Sequence, residues 1–268
     1  MSNYEGWPFK QLFFDATMKG GTIVYFAIDP EFDKPEPWGF RLQYGRSVND
    51  TFEYVDEDYP AYNVCFLIDP LQRLWNRDIE LYYRVELEAY NDTYYSVPQR
   101  PTQYWNKLDW AYTRRIRRDK VWEWMKMGIG VRGALLKRKI WGDKCPQCTD
   151  ERMGTVMNAS CETCYGTGIV GGYFDPIEYW IGDETGSVRQ SKRTNMGNKQ
   201  DVKIQAVGLG CPWIGQYDYW VNYSSDERWV IDSRKPIPKL RNVPALFHMN
   251  MSLVHHPNVI YKFEVTTP

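Results

Sequence analysis

Four of the six cysteines in this 268-residue chain lie within twenty residues, as two C-x2-C pairs separated by twelve residues. They are Cys145, Cys148, Cys161 and Cys164. Two thiolates from one C-x2-C turn can reach the same ion, and a second turn completes a tetrahedron of sulfur ligands. The spacing therefore predicts a Zn²⁺ site bound by these four residues. Because all four ligands would be protein thiolates, the site has no open position for water or substrate, which makes it structural rather than catalytic.

The rest of the sequence carries no motif for catalysis. It has no G-x-x-x-x-G-K-[ST] phosphate loop, no G-x-S-x-G nucleophile motif and no G-x-G-x-x-G after a predicted strand. The three histidines are His248, His255 and His256. Adjacent strand residues point to opposite faces, so the last two do not predict a shared metal. Acidic residues are numerous but scattered, and we expect a protein that is not an enzyme.

The bulk composition is globular and rich in aromatic residues. Aromatic residues make up 16% of the chain, with 12 Trp and 20 Tyr, which favours β structure and protein contacts. No apolar run approaches the roughly 20 residues that span a bilayer, so we expect no membrane contact. The N-terminal stretch MSNYEGWPFK does not resemble a secretory signal. We therefore expect synthesis in a reducing cytoplasm, where clustered cysteines bind metal rather than form disulfides.

Charge is unevenly distributed, although the whole chain has a formal net charge of only −1. Residues 1–113 contain 10 basic and 18 acidic residues, whereas residues 114–139 contain 10 basic and 2 acidic residues. A helix is expected from Gln103 to Met127, with an apolar stripe through Leu108, Tyr112 and Ile116.

The four arginines of this helix form a candidate interface: Arg114, Arg115, Arg117 and Arg118. Arginine favours bidentate contacts with carboxylates or phosphates. Contact with an acidic protein surface, including this chain's own first region, is the first interpretation. A solvated helix face and binding to DNA phosphates are the alternatives.

The first hundred residues predict an antiparallel sandwich. The clearest strand alternates with period two, and its inward set is expected to be Leu81, Tyr83, Val85, Leu87 and Ala89. The stretch YYRVELEAYNDTYYSVP resembles the penultimate strand, turn and last strand of a fibronectin type III or related immunoglobulin-like domain. That resemblance implies an immunoglobulin-like fold, and a generic antiparallel hairpin is the alternative. In a second apolar strand, NVCFLIDP, Cys65 is expected to be a buried thiol.

The last third also predicts strands, one of which places Val202, Ile204 and Ala206 on a single face. Between these strands and the cysteines, the polar stretch Gly182–Gln200 predicts a long loop that is mobile unless a partner orders it. The expected fold is mainly β, in four parts: a sandwich over 1–100, a basic helical linker over 101–140, a zinc-binding segment over 141–180 and a small β-barrel over 181–268.

The cysteine segment resembles proteins of the tailed-bacteriophage neck, which carry CPxC, a short spacer and then CxxCYGTGFVGGY with a following Pro-Ile. Ile169 and Val170 stand where that pattern has Phe-Val. The matching residues are Cys145, Pro146, Cys148, Cys161, Cys164, Tyr165, Gly166, Thr167, Gly168, Gly171, Gly172, Tyr173, Pro176 and Ile177. The CETCYGTG element is also similar to one repeat of the zinc domain of DnaJ-type chaperones, but that domain needs four repeats and this chain has one.

The C-terminal third is similar to the small β-barrel of head-closure, or stopper, proteins. The residues that carry this looser similarity are Arg228, Trp229, Val230, Pro244, Leu253, Ile260 and Tyr261. The two resemblances imply a virion structural protein that forms a sixfold or twelvefold homo-oligomeric ring. They also imply contact with a portal or adaptor protein and with a tail terminator or tail tube protein, and at most non-specific contact with DNA. A collar or baseplate location, a zinc-dependent nucleic-acid-binding protein and an enzyme are the alternatives.

Overall fold

The computed structural model describes residues 6–56, 60–62, 64–71, 73–75, 81–101, 107–148, 156, 158–194, 197–240 and 243–266. Strands account for 45% and helix for 11% of the structure, which confirms the predicted mainly β fold. The chain divides into two compact units, Met1–Ala111 and Tyr112–Pro268. No helix within the described ranges is long and apolar enough to cross a bilayer.

The first unit is built from two antiparallel sheets. Its strands are β1 (Phe9–Ala16), β2 (Thr22–Ile28), β3 (Trp38–Gly45), β4 (Glu53–Tyr54), β5 (Ala61–Tyr62), β6 (Phe66–Asp69), β7 (Tyr82–Ala89) and β8 (Asp92–Tyr95). One sheet has the order β1-β2-β6. The other has the order β4-β3-β7-β8, and β5 also pairs with β3. The immunoglobulin-like identity of this arrangement stays a prediction.

One apolar core lies between these two sheets. The five predicted inward residues from Leu81 to Ala89 are at most 9% exposed, which confirms that alternation. Phe26 of β2 and Phe40 of β3 join the sheets, with ring centroids 4.7 Å apart. Cys65 is only half-buried, contrary to expectation, because it precedes β6 and lies beyond the last residue pair of β2 and β6.

The described residues contain one α-helix, α1 (Lys107–Lys126), which lies inside the predicted range. Its buried side is formed by Thr113, Arg117 and Trp124, none more than 3% exposed. The predicted apolar stripe is wrong, because Leu108 is 80% and Tyr112 is 57% exposed. Each residue turns the helix by about 100°. A buried side through positions 113, 117 and 124 therefore leaves positions 108 and 112 on the opposite side.

Six strands of the second unit close into an antiparallel barrel. They are β9 (Gly130–Leu136), β10 (Ile177–Thr194), β11 (Gly197–Leu209), β12 (Tyr219–Asn222), β13 (Arg228–Leu240) and β14 (Val243–Leu253). Their order is β10-β11-β14-β13-β12-β9, and β9 pairs with β10 to complete the ring. The barrel therefore begins before residue 181, the predicted boundary, because β9 supplies the closing strand.

Large side chains fill the barrel and glycines make room for them. Trp220 is 2% exposed, and its Nε1–H donates to the backbone oxygen of Tyr179 at 3.0 Å. A Cβ atom at Gly133 would lie 2.6 Å from the Trp220 ring. A Cβ atom at Gly208 would lie 2.2 Å from the Tyr179 hydroxyl. Both strands therefore need glycine where these aromatic rings cross the interior.

The polar stretch predicted as a loop is an antiparallel hairpin instead. β10 and β11 remain paired as far as Thr194 and Gly197. β10 pairs with β9 only up to Gly182, and β11 pairs with β14 only from Lys203, so the hairpin continues past the barrel. Backbone hydrogen bonds between strands do not need apolar side chains. A stretch in which polar residues predominate therefore lacks the alternation from which strands are predicted.

Candidate metal centre

The four predicted ligands come together in one buried cluster. Their Sγ atoms all lie within 4.8 Å of one another, and the exposed fractions of Cys145, Cys148, Cys161 and Cys164 are 0, 4, 5 and 0%. The Sγ atoms of Cys145 and Cys161 are 3.7 Å apart, and those of Cys148 and Cys164 are 3.1 Å apart. This is the single group of three or more potential metal ligands in the described part of the chain.

The sulfur geometry fits a tetrahedral metal ion. Zinc–sulfur bonds of about 2.3 Å in a tetrahedron place neighbouring sulfurs roughly 3.8 Å apart. The distance between Cys145 and Cys161 matches that spacing, and the closer pair would separate slightly around an ion. The four buried cysteines can therefore hold a metal ion. No fifth side chain is needed to complete the site.

Burial and backbone hydrogen bonds act differently on two of the thiols. Burial raises the pKa of the Cys148 thiol. Backbone N–H groups, chiefly that of Cys164, lower the pKa of Cys161 to about 7. Gln147 lies beside Cys161, with its Oε1 atom 3.8 Å from the Cys161 Sγ. The same Oε1 atom accepts a hydrogen bond from the Thr163 hydroxyl at 2.9 Å. Metal binding requires thiolates, and a bound cation stabilises that form in every ligand.

Tight turns position the second cysteine pair. The N–H of Cys145 donates to the backbone oxygen of Gly168 at 2.8 Å, which ties the first pair to the chain that follows the second. Tyr165 and Gly166 have positive φ angles of 50° and 76°. A Cβ atom at Gly166 would lie 2.6 Å from the backbone oxygen of Ala159. Glycine is therefore required there both by the backbone conformation and by the close approach of the chain.

An aromatic cluster joins the four-cysteine segment (143–148 and 158–174) to the barrel. The rings of Tyr165 and Tyr173 lie 5.2 and 5.9 Å from the ring of Phe263, centroid to centroid. Tyr173 also meets Tyr219 of β12 at 5.5 Å. Ile260 is buried in the same cluster. The segment, the barrel wall and the C-terminal residues thus share one apolar cluster.

The four arginines of the candidate interface do not lie on one surface. Arg117 is fully buried, and its Nη2 donates to the backbone oxygen of Pro244 at 2.9 Å. Arg115 and Arg118 are exposed, and Arg114 is half-exposed. Two residues along a helix differ by about 200°, so Arg115 and Arg117 must face opposite ways. An interface on this helix can therefore use Arg115 and Arg118 together, but not Arg117.

Sequence reasoning did not identify Asp218 as a structural residue. Its side chain is buried and accepts hydrogen bonds from the backbone N–H groups of Arg138 at 2.9 Å and Gly215 at 2.6 Å. Lys137 Nζ lies 3.5 Å from the same carboxylate. A single aspartate in a turn gives no sequence signal for these contacts. Its role is to tie the end of β9 to the chain before β12.

Histidine, arginine and tyrosine side chains make contacts around the C-terminal residues. His255 and His256 are exposed, and His256 stacks on Tyr261 with ring centroids 4.4 Å apart. Arg228 is 3% exposed, and its Nη1 donates to the backbone oxygen of Ile260. Tyr261 donates from its hydroxyl to the backbone oxygen of Val254 at 2.9 Å. These contacts hold the C-terminal residues against the barrel.

No protein-family model matches the chain, and no curated protein matches it. The fold and the site define its class without a relative. It is a mainly β protein with a closed six-stranded barrel and a buried cluster of four cysteines that can hold a metal ion.

Proposed function

We propose that this chain is a structural protein of the tailed-bacteriophage virion, acting in the neck as a head-closure connector. In this role it forms a homo-oligomeric ring between the portal or adaptor protein and the tail terminator or tail tube protein. The ring closes the DNA channel after packaging and offers a surface to the tail. The proposal extends from the resemblance of two segments of the sequence to neck proteins.

One observation carries the proposal. The two resembling segments are far apart in sequence, yet residues of both belong to a single apolar cluster. Tyr165 and Tyr173 come from the cysteine segment, and Ile260 and Tyr261 come from the C-terminal segment. The cluster also includes Val221 on the barrel wall. The resemblance therefore describes one packed body, a barrel with a metal-binding segment attached, rather than two unrelated short matches.

We further propose that the metal is zinc and that its role is structural. Four thiolates suit zinc or iron, and a closed site of four cysteines is the arrangement of structural zinc. Within the described part of the cysteine segment, the buried cluster formed by the segment itself consists of the four cysteines alone. A segment without a larger core of its own needs a cross-link to keep one conformation.

The metal test is elemental analysis of protein produced with zinc and iron both supplied. We expect one zinc per chain and loss of that zinc when Cys148 and Cys164 are replaced by serine. Replacing Cys65 by serine is the matched control, because Cys65 lies outside the cluster. Stoichiometric iron, or native disulfides among the four cysteines, would contradict the zinc proposal.

The neck proposal is tested in a phage that encodes the chain. Deleting the gene should give DNA-filled heads without tails, which then lose their DNA. Antibody labelling of complete particles should mark the junction of head and tail. Labelling at a collar or baseplate would support that location instead, and normal particles from the deletion would contradict a structural role in the neck.

Nucleic-acid binding is the rival function, and salt dependence separates it from the neck role. A protein that binds DNA through phosphates loses affinity steeply as salt rises. We expect only weak, non-specific binding of duplex DNA by the purified chain. Tight binding that weakens along such a steep slope would favour the rival.

A further inference from the structure

One end of the first unit carries a cluster of acidic residues. The segment between β2 and β3, residues 29–36, contains four acidic residues and one lysine, and Glu31, Asp33 and Glu36 are exposed. The turn between β7 and β8, residues 90–92, adds Asp92. We call these two segments the acidic loop end. Together they carry a net charge of −4, from five acidic residues and one basic residue.

The acidic loop end is held in a fixed shape. Phe32 is 8% exposed and meets Trp38 at 5.5 Å and Tyr94 at 5.3 Å, both edge to face. Lys34 Nζ lies 2.8 Å from Asp92 Oδ2, which links the two segments. A surface that is already ordered loses less conformational entropy when it binds a partner. The loop end is thus an ordered backbone that presents exposed acidic side chains.

An exposed aromatic residue accompanies these charges. Tyr90 is 79% exposed and has a φ angle of 60°. A non-glycine residue in this left-handed region is uncommon. Here it stands at the turn between β7 and β8, beside the acidic residues of the loop end. Tyrosine is among the residues that contribute most to protein interfaces.

A basic and aromatic stripe runs along the exposed side of α1. We call it the outer stripe of α1, and it consists of Leu108, Tyr112, Arg115, Asp119, Trp122 and Lys126. Tyr112 and Trp122 are 57% and 59% exposed, and the Arg115 side chain is 83% exposed. Arg118 borders the stripe and is also exposed. The whole helix has seven basic and three acidic residues, a net charge of +4.

We propose that the outer stripe of α1 docks on the acidic loop end of a second copy of this chain. This inference rests on the proposed ring, and it assigns the two surfaces that join its subunits. The stripe together with Arg118 has a net charge of +2, opposite in sign to the −4 of the loop end. The anchors, Tyr112 and Trp122 on one side and Tyr90 on the other, belong to the residue types that dominate binding energy at interfaces.

The two surfaces are different patches, which determines the symmetry of the contact. When one patch of a subunit binds a different patch of the next, the contact is head-to-tail. Such contacts repeat from subunit to subunit and close into a ring when the rotation permits. A contact between two copies of the same patch would instead give a twofold dimer. The pairing of a basic stripe with an acidic loop end therefore suits a cyclic ring.

Charge reversal on each surface tests the contact. The helix-reversed chain carries Arg115→Glu and Arg118→Glu, and the loop-reversed chain carries Glu31→Lys and Asp33→Lys. We expect each change to weaken self-association by about tenfold or more, since several exposed charge pairs become repulsive. Lys203→Glu with Lys235→Glu is the matched control for the helix-reversed chain, because it makes the same change of charge at exposed barrel residues. Analytical ultracentrifugation of the full chains measures the oligomer.

Mixing the two variants shows whether weakened self-association comes from a lost contact between chains or from the change in overall charge. In an equimolar mixture, the glutamates introduced on one variant's helix meet the lysines introduced on the other variant's loop end. The unchanged helix meets an unchanged loop end, so the mixed oligomer should recover. A chain that carries all four substitutions should recover for the same reason. Failure of both recoveries, with circular dichroism showing that the variants are folded, would overturn the inference.

Different results would contradict the proposed ring and the proposed assignment of its contact surfaces. If the wild-type chain stays monomeric at all concentrations and on portal rings, the ring is wrong and this inference falls with it. If the wild-type chain and both variants assemble equally well, the ring stands and the assignment of its surfaces is wrong. If the helix-reversed chain assembles but no longer binds duplex DNA, α1 contacts nucleic acid instead.

Discussion

The barrel and the four-cysteine segment belong to the same compact unit, but they are stabilised by different means. The barrel has six strands hydrogen-bonded in a closed ring, around an interior that contains Trp220, Tyr179 and Ile231. The cysteine segment has turns, isolated bridges and a buried cluster of four sulfurs. A closed sheet satisfies its own backbone and buries its own apolar surface, whereas in the segment the proposed metal would supply the cross-link. The barrel should therefore fold without metal, and the segment should not.

Removing the metal should produce the largest difference in stability between the segment and the barrel. Structural zinc sites contribute on the order of 10–16 kcal/mol of apparent binding free energy at neutral pH. After chelation, we expect amide protection to be lost at Cys145, Val170 and Gly171, whose N–H groups donate within the segment. Protection at Tyr179 and Ile181 in β10 should remain. Hydrogen exchange followed by mass spectrometry measures both regions in one sample.

Two results would remove the distinction between the regions. Equal loss of protection in the segment and in the barrel would mean that the metal holds the whole unit together. Unchanged protection in both would mean that the turns and the aromatic cluster suffice without an ion. Cys148→Ser should reproduce the effect of the chelator, and Cys65→Ser should leave exchange in the segment unchanged.

Weakening the barrel interior should give the next largest effect. Trp220→Ala removes a large buried ring and its hydrogen bond to the Tyr179 backbone, so we expect a loss of about 3–5 kcal/mol in the free energy of unfolding. Trp122→Ala is the control, since an exposed ring on α1 should change that free energy by no more than about 0.5 kcal/mol. Denaturant unfolding of monomeric protein measures both variants. A loss below about 1 kcal/mol for Trp220→Ala would show that the barrel does not depend on this ring.

The features that could best be predicted from the sequence are those whose pattern lies within one short stretch of the chain. Two C-x2-C pairs require the thiols of each pair to be neighbours, so the buried cluster of four cysteines was predictable from spacing alone. The alternation from Leu81 to Ala89 was predictable because a strand with one buried face must repeat every two residues. In both cases, the residues that show the pattern are also the residues that make the contacts.

Features that depend on distant parts of the chain were not predictable in this way. Arg117 is polar by type, yet it is buried because its guanidinium reaches the backbone oxygen of Pro244, 127 residues away. Its burial sets the rotation of α1, so a stripe chosen by hydropathy, through Leu108 and Tyr112, fell on the exposed side. The closing strand β9 gave only a weak signal, because Gly130 and Gly133 are needed beside Trp124 and Trp220. Those glycines argue against regular structure until the partner rings are known.

The smallest effects should come from the place where the two regions meet. Phe263 contacts Tyr165 and Tyr173 of the segment, and it is half-buried. Phe263→Ala should therefore cost about 1–2 kcal/mol and should speed the release of metal to a chelator. The neighbouring Lys262 pairs with Glu162, with side chains 61% and 65% exposed. Lys262→Ala should cost no more than about 1 kcal/mol, which makes it a matched control in the same short stretch.

If the aromatic cluster does not couple the segment to the barrel, both variants will release metal at the wild-type rate. If the cluster does couple them, Phe263→Ala alone will release metal faster. Unfolding of the barrel will then also become less sensitive to chelation, because the rings that connect the metal-bound segment to the barrel no longer make contact.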